Sequence, residues 1–394
     1  MIYSTKGEIV MENKYPVVLC HGMFGYGQQE ITERLLPYFG LYRLNIRKMF
    51  NEQGVHCVAP SLGPFTGAWD RACECYAQLV GGTVDYGKVH SEKYGHARYG
   101  RTYKALLPEW GQKDSNGNII KVNFIGHSFG GVTARLLTEL LISGSQEEIA
   151  GTPANELSPL FKGGNADLVH SITTLASPHN GCSFNEKRTG KVMMEICILM
   201  CRVFGALDGT PLQSIYDLNL DRFGITTKPG IKWEIKDHKD ELNKYFKQNK
   251  DNICYDLTFN GAKELNEKIK TRDNIYYFSY RGQRTRKTKF GLQVPGEHSF
   301  PVLNILGLAM GINPLGVPNR EWLANDLVIN TVSGIAPDNA PKVDVETVKE
   351  YKPGIWHVMP LEIKDHMSYL GWAEEKETFR KFYQNIYDTV SNLK

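Results

Sequence analysis

The chain has 394 residues, 41% hydrophobic and 23% charged, with 46 basic against 43 acidic side chains and a formal net charge of +3. That length and apolar content suffice for one large buried core or two ordinary ones, which excludes a disordered chain. The balanced charge carries no electrostatic signature of a nucleic-acid or acidic partner, and the basic run from Arg281 to Lys289 reads as a solvated loop.

In chain order, short apolar runs predict strands at Val17 to Cys20, Val55 to Ala59, Lys121 to Ile125, Val169 to Ala176 and Ile275 to Tyr280, with helix-like segments between them. Continuous apolar strands alternating with helices predict an α/β fold, a mostly parallel central sheet covered by helices on both faces. Two stretches are too long for plain loops, residues 66–107 and 180–270, and read as insertions into a single domain spanning 1–394. No run of about 18 apolar residues predicts a membrane span, and Met1 to Tyr15 is too polar for a signal peptide. The chain is therefore expected to be intracellular or already trimmed. Eight cysteines in this length are not a disulfide scaffold. Neither Cys73-Glu74-Cys75 nor Cys197 with Cys201 has zinc-ribbon spacing, so buried or free thiols are expected.

The chemistry concentrates around Ser128. The run Val122-Asn123-Phe124-Ile125-Gly126-His127-Ser128-Phe129-Gly130-Gly131 delivers a Gly-x-Ser-x-Gly from a strand into a predicted helix, Gly131 to Leu141. Such a turn exposes a serine oxygen for attack, and small residues on both sides permit it. The helix N-terminus adds positive dipole beside a developing oxyanion. Upstream, the first strand runs into His21-Gly22-Met23-Phe24-Gly25, which places the backbone N–H of Met23, with that of Phe129, as the candidate oxyanion hole. A base and an orienting carboxylate are expected downstream. His357 and His366 compete for the first role, and Asp326 and Asp365 for the second. Asp70, His90 and His96 are a donor set suited to zinc, inside the first insertion.

Four segments together resemble the large zinc-containing lipases of thermophilic Bacillus relatives and staphylococci. They are His21 to Gly27, Trp69 to Gly87 (WDRACECYAQLVGGTVDYG), His96 to Tyr103 and Gly126 to Gly131. The resemblance covers nearly the whole chain and implies an α/β-hydrolase fold with a helical lid. It implies that Asp326, in Trp322 to Ser333, is the triad acid and that His366 is the base. It leaves His357 as a surface-loop histidine. It also implies a fourth zinc ligand in Tyr255 to Ala262, namely Asp256, so that Asp70, His90, His96 and Asp256 hold a structural zinc with no open position. The family's calcium site is not expected, because Ser368 and Ala373 stand where its acidic ligands belong.

The segment Lys191 to Leu207 (KVMMEICILMCRVFGAL) is the candidate lid, with an apolar underside that opening would present to lipid. The function implied is hydrolysis of water-insoluble acylglycerol esters through an acyl-enzyme on Ser128. The alternatives are an esterase, polyesterase, phospholipase or acyltransferase on the same fold. The resemblance points to an extracellular address, with the cytoplasm as the alternative, and no obligate protein partner is evident.

Overall fold

The computed structural model describes residues 13–205, 211–225 and 239–393. Seven strands form its main sheet: β1 (Val17–Cys20), β2 (Cys57–Val58), β3 (Val122–His127), β4 (Val169–Leu175), β5 (Tyr276–Tyr280), β6 (Lys342–Asp344) and β7 (Trp356–Val358). Their order is β6-β7-β5-β4-β3-β1-β2, and every neighbouring pair is parallel. Five helices matter for the site: α1 (Ala68–Val80), α2 (Lys88–Tyr94), α3 (Phe129–Ser143), α4 (Lys187–Phe204) and α5 (Lys376–Ser391).

The apolar runs of the inner strands follow from burial on two faces. Along β1, Val18 and Cys20 join the core beneath α1 and α3, which contribute Ala72, Cys75, Val132 and Leu136. Val17 and Leu19 point the other way, into a second core with Phe379, Tyr383 and Ile386 of α5. A strand repeats every two residues, so a strand apolar at every position needs cover on both sides.

All five sequence-predicted strands are present, with the second trimmed to Cys57–Val58. The structure corrects two readings. His357 is not a surface-loop residue: it lies on β7, 1% exposed, its Nδ1 donating to the Tyr277 carbonyl (3.1 Å) while its Nε2 accepts from the Lys352 N–H (3.2 Å). The three-residue strands at the sheet's edge are too short to leave a periodic signal. Within the basic run, Thr285–Lys287 pairs antiparallel with Gln293–Pro295, so part of that loop is a hairpin. All eight cysteines are buried and free. The end of the expected lid segment, Ala206 and Leu207, lies outside the described residues.

The turn from β3 into α3 is tightly packed. Ser128 adopts φ 56° and ψ −131°, a region costly for a residue with a Cβ, and its N–H donates to the Leu175 carbonyl at 2.8 Å. A Cβ on Gly130 would sit 1.9 Å from the Cys20 carbonyl oxygen, and one on Gly126 would sit 2.5 Å from Gly131. The close approach of α3 to β1 therefore requires glycine at 130. Gly130→Ala should lower stability by about 1–3 kcal/mol or more, read as a reduced urea midpoint with an unchanged slope. A midpoint equal to that of the parent would contradict this packing.

Candidate active site and metal centre

Asp326 and His366 come from separate loops and meet at hydrogen-bond distance. His366 Nδ1 lies 2.9 Å from Asp326 Oδ2, and the His366 N–H donates to the Asp326 carbonyl (2.9 Å). The other carboxylate oxygen, Oδ1, accepts the N–H groups of Val328 (3.0 Å) and Ile329 (2.6 Å), so a tight turn fixes the acid's orientation. Both side chains are buried. Because Nδ1 faces a carboxylate, it carries the hydrogen, which leaves Nε2 as the basic nitrogen. Asp365, the rival acid, points elsewhere: Oδ1 accepts from Ser368 N–H and Oγ, and Oδ2 from Phe300 N–H.

His366 is tied to the nucleophile turn through the residue before Ser128. His127 Nε2 donates to the His366 carbonyl at 3.0 Å, and the two rings lie 4.5 Å apart. On the other side, the loop after β1 presses against Ser128. A Cβ on Gly22 would fall 2.6 Å from Ser128 Cβ and 3.1 Å from its Oγ. Only glycine at 22 brings the next peptide, that of Met23, so near the serine.

Three side chains hold that loop. His21 Nδ1 donates to the Gly22 carbonyl (2.9 Å), and its Nε2 accepts from the Leu62 N–H (3.1 Å). Buried Arg71 of α1 donates to the carbonyls of His21 and Gly63. Tyr38 Oη accepts the Gly22 N–H (3.0 Å). No hydrogen bond within the described residues takes up the N–H of Met23 or of Phe129.

The second constellation gathers Asp70 of α1, His90 of α2, His96 and Asp251. His90 Nε2 lies 3.4 Å from Asp70 Oδ1 and 3.3 Å from Asp251 Oδ2, and His96 Nε2 lies 3.4 Å from Asp251 Oδ2. Four donors about 2.0–2.1 Å from a tetrahedral ion stand roughly 3.3 Å from each other. These same four atoms are buried without a hydrogen-bond partner, which is costly unless a cation takes them up. His96 Nδ1 donates to the Ala97 carbonyl (2.9 Å), so its Nε2 lone pair is the free one. Burial alone would lower the His90 pKa, but the Asp251 and Asp70 carboxylates outweigh it and raise it to about 9. The residues therefore fit a divalent metal ion.

Asp256 is not part of this group, contrary to the sequence reading. It ends the short helix Ile253–Asp256, and its Oδ2 accepts the Ala68 N–H at 2.7 Å, capping α1 from outside. Asp251 takes the fourth position. Nothing in the local sequence separates two carboxylates five residues apart; the fold does, because Asp256 is committed to the helix end. Sequence reasoning also missed Arg222, whose guanidinium pairs with Asp70 Oδ2 (2.5 Å) and Glu74 Oε1 (3.2 Å). A lone arginine in an insertion carries no signal for that role.

Comparison with known proteins gives this geometry a context. Residues 13–393 match the family model described as "Lipase-like, C-terminal domain". The chain belongs to that family. It is 34% identical to a lipase of Staphylococcus epidermidis over 390 residues, which is 96% of this chain and 54% of the relative. The chain thus spans about half the length of the curated relatives it matches. Among solved structures it is similar to the Staphylococcus hyicus lipase, with 31% identity, a TM-score of 0.83 and coverage of 97% of this chain and 96% of that one. It is also similar to lipase 1 from Pelosinus fermentans, with 34% identity, a TM-score of 0.80 and coverage of 97% and 100%. The seven-stranded parallel sheet is accordingly that of an α/β-hydrolase.

In this family member the stretch after His366 is not a cluster of acids. Ser368 donates its hydroxyl to Asp365 (3.0 Å), and Ala373 offers no side-chain ligand. Lys364 pairs with Glu362 (3.2 Å) and lies over the Phe382 ring (4.2 Å).

Two measurements test this site. Asp251→Ala should lose bound metal by elemental analysis, whereas Asp256→Ala should keep it and lose about 1 kcal/mol of stability with its helix cap. Equal metal loss in both variants would contradict the division of roles. The second concerns pH. Burial holds the pKa values of His21, His127 and His179 well below 6.5. The unfolded chain therefore takes up protons that the folded chain refuses as pH falls below about 6.5. Above that pH these rings are neutral in both states and cost nothing; below it each subtracts from stability, by up to about 1.4 kcal/mol per pH unit. Urea midpoints should fall from about pH 7 towards pH 5.

Proposed function

We propose that this chain is a serine carboxylic ester hydrolase, a lipase acting on water-insoluble acylglycerol esters. Ser128 is the nucleophile, His366 the base, Asp326 its orienting carboxylate, and the N–H groups of Met23 and Phe129 the oxyanion hole. The observation that carries this reading is the 2.9 Å contact between His366 Nδ1 and Asp326 Oδ2, tied through His127 to a strained serine at the head of α3.

His366 Nε2 takes the proton from Ser128 as its oxygen attacks the ester carbonyl. The carbonyl oxygen gains charge, received by the two unpaired N–H groups. Losing one such donor typically costs about 2.7–4 kcal/mol of transition-state stabilisation. The proton passes to the leaving alcohol, and the acyl group stays on Ser128. Water, deprotonated by His366, then attacks the acyl-enzyme and releases the carboxylic acid. Asp326 keeps the imidazole in one tautomer and stabilises its charged form throughout.

A water-insoluble substrate is supported by α4. One side packs Met193, Cys197, Ile198 and Cys201 into the core, while Val192, Ile196, Leu199 and Val203 form an exposed stripe on the helix. Its end reaches the loop after β1 through ring contacts, a tilted one from Phe204 to Tyr216 and an edge-to-face one from Tyr216 to Tyr26. In this reading residues 180–270 are a lid and cap, and residues 66–107 an insertion, within one domain. The metal this group would hold is a structural zinc: two imidazoles and two carboxylates would complete its ligand set and leave no place for a reactive water. Its chemistry is to clamp α1, α2 and the segment at 251 together. An extracellular address belongs to the same proposal. No helix among the described residues is long and apolar enough to cross a membrane.

Ser128→Ala should lower ester turnover by at least about 10⁴-fold with an unchanged melting profile. Retained turnover in that variant would refute the mechanism. Assays of the parent on emulsified triacylglycerol, phospholipid vesicles and short p-nitrophenyl esters decide the substrate class. A preference for the soluble ester alone would replace lipase by esterase.

A further inference from the structure

Two buried residues beside the active site have no part in the chemistry above. Tyr38 is 8% exposed and His127 is 1% exposed. Their polar atoms lie on one unbroken line. The Gly22 N–H meets Tyr38 Oη at 3.0 Å, Tyr38 Oη meets His127 Nδ1 at 2.8 Å, and His127 Nε2 meets the His366 carbonyl oxygen at 3.0 Å.

The two ends of this line determine the direction of every hydrogen bond in it. A carbonyl oxygen only accepts, so His127 Nε2 carries a hydrogen and donates it to His366. A neutral imidazole has one N–H, so Nδ1 is a lone pair and accepts. The Tyr38 hydroxyl hydrogen must then point to Nδ1, and its oxygen accepts from Gly22, a backbone N–H that only donates. Each group is used once and none is left over. The imidazole is neutral for a reason visible around it: burial disfavours the charged form, and the nearby His366 ring opposes a second positive charge.

The line begins and ends at functionally distinct places. Gly22 immediately precedes Met23, whose N–H is an oxyanion donor in the reading above. His366 is the base. Ser128 lies between them, following His127 in the chain and touching Gly22 in space. The following peptide, which joins Gly22 to Met23, is held at the Gly22 carbonyl by His21 (2.9 Å), so the Tyr38 bond fixes the peptide before Gly22 and the His21 bond the one after it.

We propose that Tyr38 and His127 are positioning residues which couple the oxyanion loop to the backbone of the catalytic histidine, setting the distance between the oxyanion donor and the base across Ser128. This inference rests on the triad reading. Neither residue touches substrate. Both act through the peptides they hold, where small misplacements cost much in rate.

Tyr38→Phe tests this with little change of volume. The ring contacts with His21, Tyr26, Phe39 and His127 remain possible, while the Gly22 N–H and His127 Nδ1 lose their partner. Active sites are first counted by titration with a p-nitrophenyl phosphonate, so that unfolded protein does not enter the rate. On a soluble p-nitrophenyl ester, kcat per titrated site should fall about tenfold, less than the loss of a whole oxyanion donor, with KM within twofold. Phosphonylation should slow in parallel, because the phosphoryl oxygen enters the oxyanion hole. His127→Leu should lose at least as much, and His127→Gln, which can still donate to His366, should recover part of it. If Tyr38→Phe keeps kcat within twofold, or changes only KM or the melting temperature, the two residues are structural and the proposal fails. Ser128→Ala in the same assay separates the cases: turnover there would defeat the triad reading itself, whatever Tyr38 does.

Discussion

The site depends on one close approach, that of the loop after β1 to the head of α3. Two glycines permit it. Gly130 lets α3 lie against the Cys20 carbonyl, and Gly22 lets the loop lie against Ser128. Parallel pairing of β1 with β3, Cys20 opposite Gly126, brings both turns to the same end of the sheet. Strand adjacency thereby becomes chemical adjacency. Residues about a hundred positions apart in sequence become the two walls of the proposed oxyanion site, and the backbone strain at Ser128 is sustained by the packing around it.

Helix α1 links this site to the metal centre. Successive residues of one turn face different tasks: Asp70 belongs to the metal group, and Arg71 donates to the His21 and Gly63 carbonyls. One turn later, Glu74 accepts the Gly63 N–H (2.7 Å) and pairs with Arg222. Asp256 caps the start of the helix, whose own N-cap residue, Gly67, has no side chain to do so. Buried charges are tolerable only when paired, and here each is met by an opposite charge, a backbone dipole or the metal position. Residues 66–107, through α1, are therefore part of the scaffold of the candidate active site.

Buried neutral histidines set the polarity of the interior. His21 and His127 each have one ring nitrogen on a backbone carbonyl, which determines the tautomer and turns the other nitrogen into an acceptor. His366 is arranged likewise, but with a carboxylate in place of the carbonyl, so only its charged form gains a full counter-charge. That difference separates the proposed base from two structural rings close by. The apolar stripe on α4 lies outside this polar interior and has no such partners.

What the sequence by itself determined was whatever depends on near neighbours. The strand-to-helix turn at Ser128, the two-sided burial of the inner strands and the His-Gly step after β1 are local patterns with local causes. The resemblance to zinc lipases then distinguished Asp326 and His366 from Asp365 and His357, which periodicity had left equal. Only the tertiary structure decided which carboxylate joins the metal group. Asp251 and Asp256 are chemically alike and five residues apart, and the choice turns on which one the end of α1 occupies. The burial of His357 on a three-residue strand, paired on both sides near the end of the sheet, and the line from Gly22 through Tyr38 and His127 to His366 were likewise invisible in the chain. Each joins segments separated by tens to hundreds of residues, and such contacts are set by the packing of a whole fold.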